Sequence, residues 1–154
     1  MNKRLRPNPF DVYIQLQPWE SVIVQTYNTT KTGASYPYTK PTAEAQSING
    51  SWTLEFLTGG PTLPAKTTIS KLDSWTTLSG DDAKNFSGTA KYTTTFAKPS
   101  GKAKTWLLDL GAVHETAEVF LNGKKLATLI GPSFQTTINA TDLKATNTLE
   151  IVVL

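Results

Sequence analysis

The residues that could do chemistry fall in three short stretches: Trp75 with Asp81, Asp82 and Asn85; His114 with Glu115; and Phe134. His114 is the chain's one histidine, and a neutral imidazole can donate or accept a proton near physiological pH. Asp82 and Glu115 are the carboxylates that would have to act together in glycoside hydrolysis. That chemistry needs a defined separation and an enclosed subsite, and the simpler reading of both is a polar loop. Asp81-Asp82 could seed a calcium site, although calcium takes six or more oxygens; a polar turn explains the pair as well. Trp75 and Phe134 are the aromatic side chains nearest these groups, and a flat apolar surface beside fixed polar groups is what a sugar site requires. For Trp75 the competing reading is an anchor in the core. The expectation is a binding site at Trp75, Asp81, Asp82, Asn85, His114, Glu115 and Phe134, with no catalytic residue, no metal ligand and no cofactor.

The elements that must position these residues centre on residues 86–130. Ala90, Tyr92, Thr94 and Phe96 alternate with Lys91, Thr93 and Thr95, the period of a half-buried strand. Trp106, Leu108 and Leu110 share a face, and Leu107 makes the other face apolar too, which predicts a strand buried on both sides. Val119 and Leu121 run into Asn122-Gly123, a strong signal for a two-residue hairpin turn, and Leu126 resumes the pattern. Residues 86–130 are therefore expected to form four consecutive antiparallel strands. In such an array alternate loops share an end. Loops 81–88, 111–116 and 131–133 then meet at one end, with Asp81, Asp82, Asn85, His114 and Glu115. Lys98 to Lys102 and Asn122 to Lys125 meet at the other.

The rest of the chain is read the same way. Alternation at 10–27 around Pro18-Trp19 predicts an N-terminal hairpin over residues 1–27, with Trp19 exposed on its turn. Residues 28–48 are rich in Thr, Ser, Pro and Ala without a period and read as a linker. Trp52, Leu54 and Phe56 open a sandwich over 49–154, and Gly59-Gly60-Pro61 is expected to break that first strand. Short extended pieces follow at 68–72 and 75–78, then a polar loop or a single helical turn at 81–84, and strands at 134–138 and 148–153. No helical period, repeat, phosphate loop or zinc spacing is found. Many short strands punctuated by Gly, Pro and Asn predict an all-β jelly-roll sandwich of about eight strands.

The chain has 154 residues and no cysteine, with 18% charged and 38% apolar residues, a composition for one core-bearing domain with an appendage. Its net charge of +3 equals the contribution of Lys3, Arg4 and Arg6. Basic and acidic residues balance elsewhere, so a nucleic-acid partner is not expected. No apolar run is long enough for a bilayer, and no apolar stretch follows the basic start. The chain stops inside the apolar strand Thr148–Leu154, which suggests an excised fragment.

Phe86-Ser-Gly-Thr-Ala-Lys-Tyr92, Leu108-Asp-Leu-Gly-Ala-Val113, Ala117-Glu-Val-Phe-Leu-Asn-Gly123 and Pro132-Ser-Phe134, in that order, resemble the sugar-binding jelly-roll domain of certain glycoside hydrolases. The set is most similar to the non-catalytic β-sandwich of family 106 α-L-rhamnosidases, and more distantly to the family 2 sugar-binding domain. The likeness covers about residues 49–154. Toward the N-terminus, Pro18-Trp19-Glu20-Ser21 stands where the family has a Pro-Gly-Glu-Ser turn, a departure from its pattern. The resemblance implies a galactose-binding-domain-like accessory domain. Its parent would act outside the cytoplasm, removing α-linked rhamnose with paired carboxylates carried on another domain. The partners it implies are a weakly bound carbohydrate or the parent's catalytic domain, not nucleic acid or membrane. Structural bracing and protein interaction or adhesion are the alternatives.

Overall fold

The computed structural model describes residues 11–16, 20–36, 38–40 and 43–154. The chain divides into two compact units, Met1–Ala43 and Glu44–Leu154.

The second unit is built from antiparallel strands: β1 Trp52–Gly60, β2 Thr67–Ile69, β3 Ser87–Ala97, β4 Thr105–Asp109, β5 Thr116–Leu121, β6 Lys124–Ile130, β7 Gln135–Asn139 and β8 Thr146–Val153. The helix α1, Asp81–Asn85, and a 3-10 turn, Trp75–Thr77, precede β3. Six strands form one sheet in the order β2-β1-β3-β8-β5-β6, and β4 pairs with β7 in a second, two-stranded layer. The period of two decides which side chains meet between the layers. The large sheet buries Trp52, Leu54 and Phe56 from β1, Ala90 and Tyr92 from β3, Ala117, Val119 and Leu121 from β5, and Leu149, Ile151 and Val153 from β8. Leu108 of β4 and Ile138 of β7 close the core from the other side, with Phe86, Phe134 and Leu143 filling the margins. The all-β sandwich expected from the sequence is the fold.

Several local expectations are corrected. The four strands of 86–130 exist, but only β5 and β6 pair with each other. β3 lies between β1 and β8, β4 has crossed to the second layer, and β8 enters the large sheet between β3 and β5. Leu107 is 63% exposed rather than central, because β4 belongs to a two-stranded layer whose outer side nothing in this unit covers. β1 ends within the expected Gly59-Gly60-Pro61 break, at Gly60, but both glycines still pair, Gly59 opposite Gly88 and Gly60 opposite Ser87, after an irregularity between Phe56 and Thr58. Residues 75–77 form a 3-10 turn instead of an extended piece, because the Ser74 hydroxyl accepts from Thr76 N at 3.3 Å and caps it. The hairpin turn is as expected: Asn122 and Gly123 have φ of 52° and 81°, and Leu121 faces Lys124.

In the first unit, residues 11–16 and 20–27 carry no strand ladder, so the expected N-terminal hairpin is not formed among the described residues. Val12, Val22, Ile23 and Val24 are exposed there, and a lone two-stranded hairpin without a face to pack on is marginal in water. Trp19 and its turn lie outside the described residues. The stretch expected as linker is tied to residues 13–15 instead. Gln15 exchanges two 2.7 Å hydrogen bonds with the backbone of Thr39, Tyr38 donates to Tyr13 O at 2.6 Å, and Tyr36 donates to Gln15 O.

Candidate functional site

The end of the sandwich where loops 81–88, 111–116 and 131–133 meet is built on three aromatic rings. Phe56 and Phe86 meet edge to face at 4.9 Å, and Trp75 stands against both, at 6.2 Å from Phe56 and 6.0 Å from Phe86. Such pairs contribute about 0.5–1.5 kcal/mol beyond their buried area. Trp75 Nε1 also donates to Phe86 O at 3.4 Å. The capped turn fixes the backbone beneath the indole: Asp73 Oδ1 accepts from Ser74 N at 2.8 Å, and Thr77 Oγ1 donates to Ser74 O at 2.8 Å. Phe86 has its place because Gly59 and Gly88 face each other with no side chains between them, and the ring edge lies over both.

Around this cluster opens a shallow depression of about 580 Å³, lined by Trp75 and Phe86, by Ser74, Thr76, Ser87, Gly88 and Thr89, and by His114 and Leu154. The β4–β5 loop brings His114 there. That loop is held where Gly131 N donates to Glu115 O at 3.3 Å and Leu154 N to Thr116 O at 3.2 Å. The lining combines an indole, hydroxyls and an imidazole, and among the described residues it includes no Asp or Glu side chain. Such a surface can stack on the apolar face of a sugar and hydrogen-bond its hydroxyls.

Of the residues expected at the site, the structure brings Trp75 and His114 together. Asp81, Asp82 and Asn85 lie exposed on α1, outside the lining. The two aspartates occupy the helix's first turn, where negative charge is favoured. Glu115 is exposed beside His114 and is not in the lining either, so Asp82 and Glu115 do not converge on this depression. Phe134 is 8% exposed and belongs to the core; it offers no open face. Among the described residues no group of three or more His, Asp or Glu is placed to hold a metal. Ser87, Gly88 and Thr89 were missed because they read as the start of an ordinary strand, and Leu154 because its neighbour across the sheet, Thr116, is remote in sequence.

Fold and site together define a β-sandwich domain with a shallow surface depression at one end, and comparison with known proteins gives it relatives. No protein-family profile matches the chain. A protein of Formosa agariphila named "Putative beta-glucuronidase" is 37% identical over 109 residues, 69% of this chain and 9% of that protein. The structure of a rhamnosidase from Novosphingobium sp. PP1Y matches with a TM-score of 0.61 at 29% identity, over 71% of this chain and 10% of that one. The Ruminococcus gnavus β-glucuronidase shares the fold, with a TM-score of 0.55 at 21% identity over 70% of this chain. The chain is thus a glycoside hydrolase-related β-sandwich domain, spanning 9–10% of the length of the first two relatives.

Proposed function

We propose that this chain is a non-catalytic accessory domain of a glycoside hydrolase, with a parent of the α-L-rhamnosidase type, and that it meets carbohydrate weakly at the Trp75–His114 depression. The observation that carries the reading is the pairing of 37% and 29% identity to glycosidases with coverage of only 9% and 10% of their chains. The open lining supports a galactose-binding-like contact. Trp75 presents part of its indole, and Ser87, Thr89 and His114 supply hydrogen-bonding groups at its margin.

A purely structural brace against the parent's catalytic domain, or a protein-interaction or adhesion module, is the second reading. It is favoured by the apolar margin of the same end. Ile130, which faces Thr116 across the sheet, is 71% exposed.

The test is an activity assay on the 154-residue chain with aryl α-L-rhamnosides and aryl β-glucuronides. No turnover is expected. Turnover that disappears in Glu115→Gln would overturn the non-catalytic reading.

A further inference from the structure

The end of the sandwich opposite the depression gathers lysines. Three loops meet there: 98–104 after β3, the Asn122-Gly123 turn after β5, and 140–145 after β7. Their backbones are tied together. Lys98 N donates to Ala145 O at 3.0 Å and Ala140 N to Lys104 O at 2.9 Å, and Lys98 Nζ reaches Ala140 O at 3.3 Å. Beneath them Asn147, with 0% exposure, accepts from Asn122 Nδ2 at 3.0 Å and Lys144 N at 2.9 Å, and donates to Lys144 O at 2.9 Å. The backbone that carries the lysines is thus ordered before any partner arrives, which lowers the entropy lost on binding.

Lys98, Lys102, Lys104, Lys124 and Lys144 are all exposed at this end. Asp142 is the one carboxylate of these loops; it faces Lys124 at 4.0 Å and accepts from Asn139 Nδ2 at 3.3 Å. Residues 44–154 hold as many lysines as carboxylates, so the local excess is an arrangement of charge and not a net one. A clustered field of one sign attracts a polyanion and raises its encounter rate.

We propose that this end is a binding surface for an acidic polysaccharide, whose carboxylate or sulfate groups the lysines hold. That the polyanion is a glycan rests on the accessory-domain reading. The residues fit it: the three loops carry no arginine, and the ring that lies against them, Trp106 beside Gly101, is packed on the core, whereas single-stranded nucleic acids need free base-stacking platforms.

The test is electrophoresis of the full chain through gels containing polygalacturonate, a sulfated galactan, neutral dextran or single-stranded DNA. Both acidic polysaccharides should retard the chain, dextran should not, and DNA should retard it less. Retardation should fade between about 50 and 200 mM salt. The triple variant Lys102→Ser, Lys104→Ser, Lys144→Ser, with an unchanged circular dichroism spectrum, should bind on the order of tenfold more weakly. A Lys3→Ser, Arg4→Ser, Arg6→Ser variant should be retarded like the parent chain. Equal retardation of the triple variant and the parent chain would overturn the proposal, as would DNA or dextran matching the acidic glycans. No retardation at all would overturn it too, and would leave this end as a docking face for an acidic protein. Either failure leaves uncharged sugar at the depression untouched, and a silent depression leaves this test intact.

Discussion

Gly59 and Gly88 face each other across β1 and β3, and a Cβ on Gly88 would lie 2.1 Å from Thr58 O and 2.9 Å from the Phe86 ring. It would also lie 2.6 Å from Gly59 Cα, and the two backbone contacts cannot swing aside. Gly88→Ala should therefore destabilise the domain by about 2 kcal/mol or more, read as a lowered urea midpoint. The same substitution at Gly123, where a Cβ meets nothing within 4 Å, is strained only through its positive φ and should be milder. Asn122 has a second role besides its turn. Its Oδ1 accepts from Thr148 N at 3.0 Å, and its Nδ2 donates to Asn147 Oδ1. Turn chemistry accounts for the Asn-Gly pair from sequence, but the contact with Asn147 joins positions 25 residues apart and leaves no local mark. Asn147→Ala should destabilise by about 2 kcal/mol, because it takes the side-chain partner from Lys144 N and Lys144 O and leaves Asn122 Nδ2 only its 3.3 Å bond to Asp142 O. Chemical denaturation would measure it, and a change under about 0.5 kcal/mol would mean that water satisfies those groups.

Among the strands, periodicity was a good guide to faces and a poor one to neighbours. Alternation in Trp52–Phe56, Ala90–Thr94 and Leu149–Val153 assigned the buried side of β1, β3 and β8 correctly, because burial imposes the period directly. It held no information that β8 would enter between β3 and β5, since any strand with one apolar face can fill that place. Leu107 misled because an apolar residue on an outer face looks the same in sequence as one buried twice. Strand direction places the loops of this end together: Gly131 bonds Glu115, and residues 86–88 share the depression with His114, but α1 places Asp81, Asp82 and Asn85 outside its lining. On the outer face of the large sheet, Lys91 of β3 links Glu55 of β1, at 3.2 Å, to Glu150 of β8, at 3.9 Å. The Lys91 ammonium, by hydrogen bond and by charge, and then Lys66, hold the Glu55 carboxyl below its ordinary value. A carboxyl lowered in the folded state contributes stability above its unfolded pKa and loses it as pH falls through the folded one. Lys91→Met should move the Glu55 midpoint up toward the ordinary carboxylate value, seen in a pH titration of its side-chain carbon. An unmoved midpoint would mean that the ion pair is not populated in solution.

At the scale of the whole molecule, the sandwich has two unlike ends joined by one core: an aromatic and hydroxyl depression at Trp75, and a lysine cluster around Asn147. Net charge hid this division. The sequence balances outside Lys3, Arg4 and Arg6, and only the loop connections show that its lysines are segregated. On the proposed reading, a domain that spans about a tenth of the first two relatives either holds substrate or holds a parent enzyme together, and the depression decides between these. The most direct measurement is a chemical-shift titration of the 154-residue chain with rhamnose, galactose and pectic oligosaccharides. An accessory carbohydrate contact predicts shifts at the Trp75 indole, Ser87, Gly88 and His114. The dissociation constant should be near a millimolar, because an open site offers a single sugar only about 4 kcal/mol. Spectra unmoved by every sugar, or shifts confined to residues 98–102 and 122–125 with the uncharged ones, would contradict it.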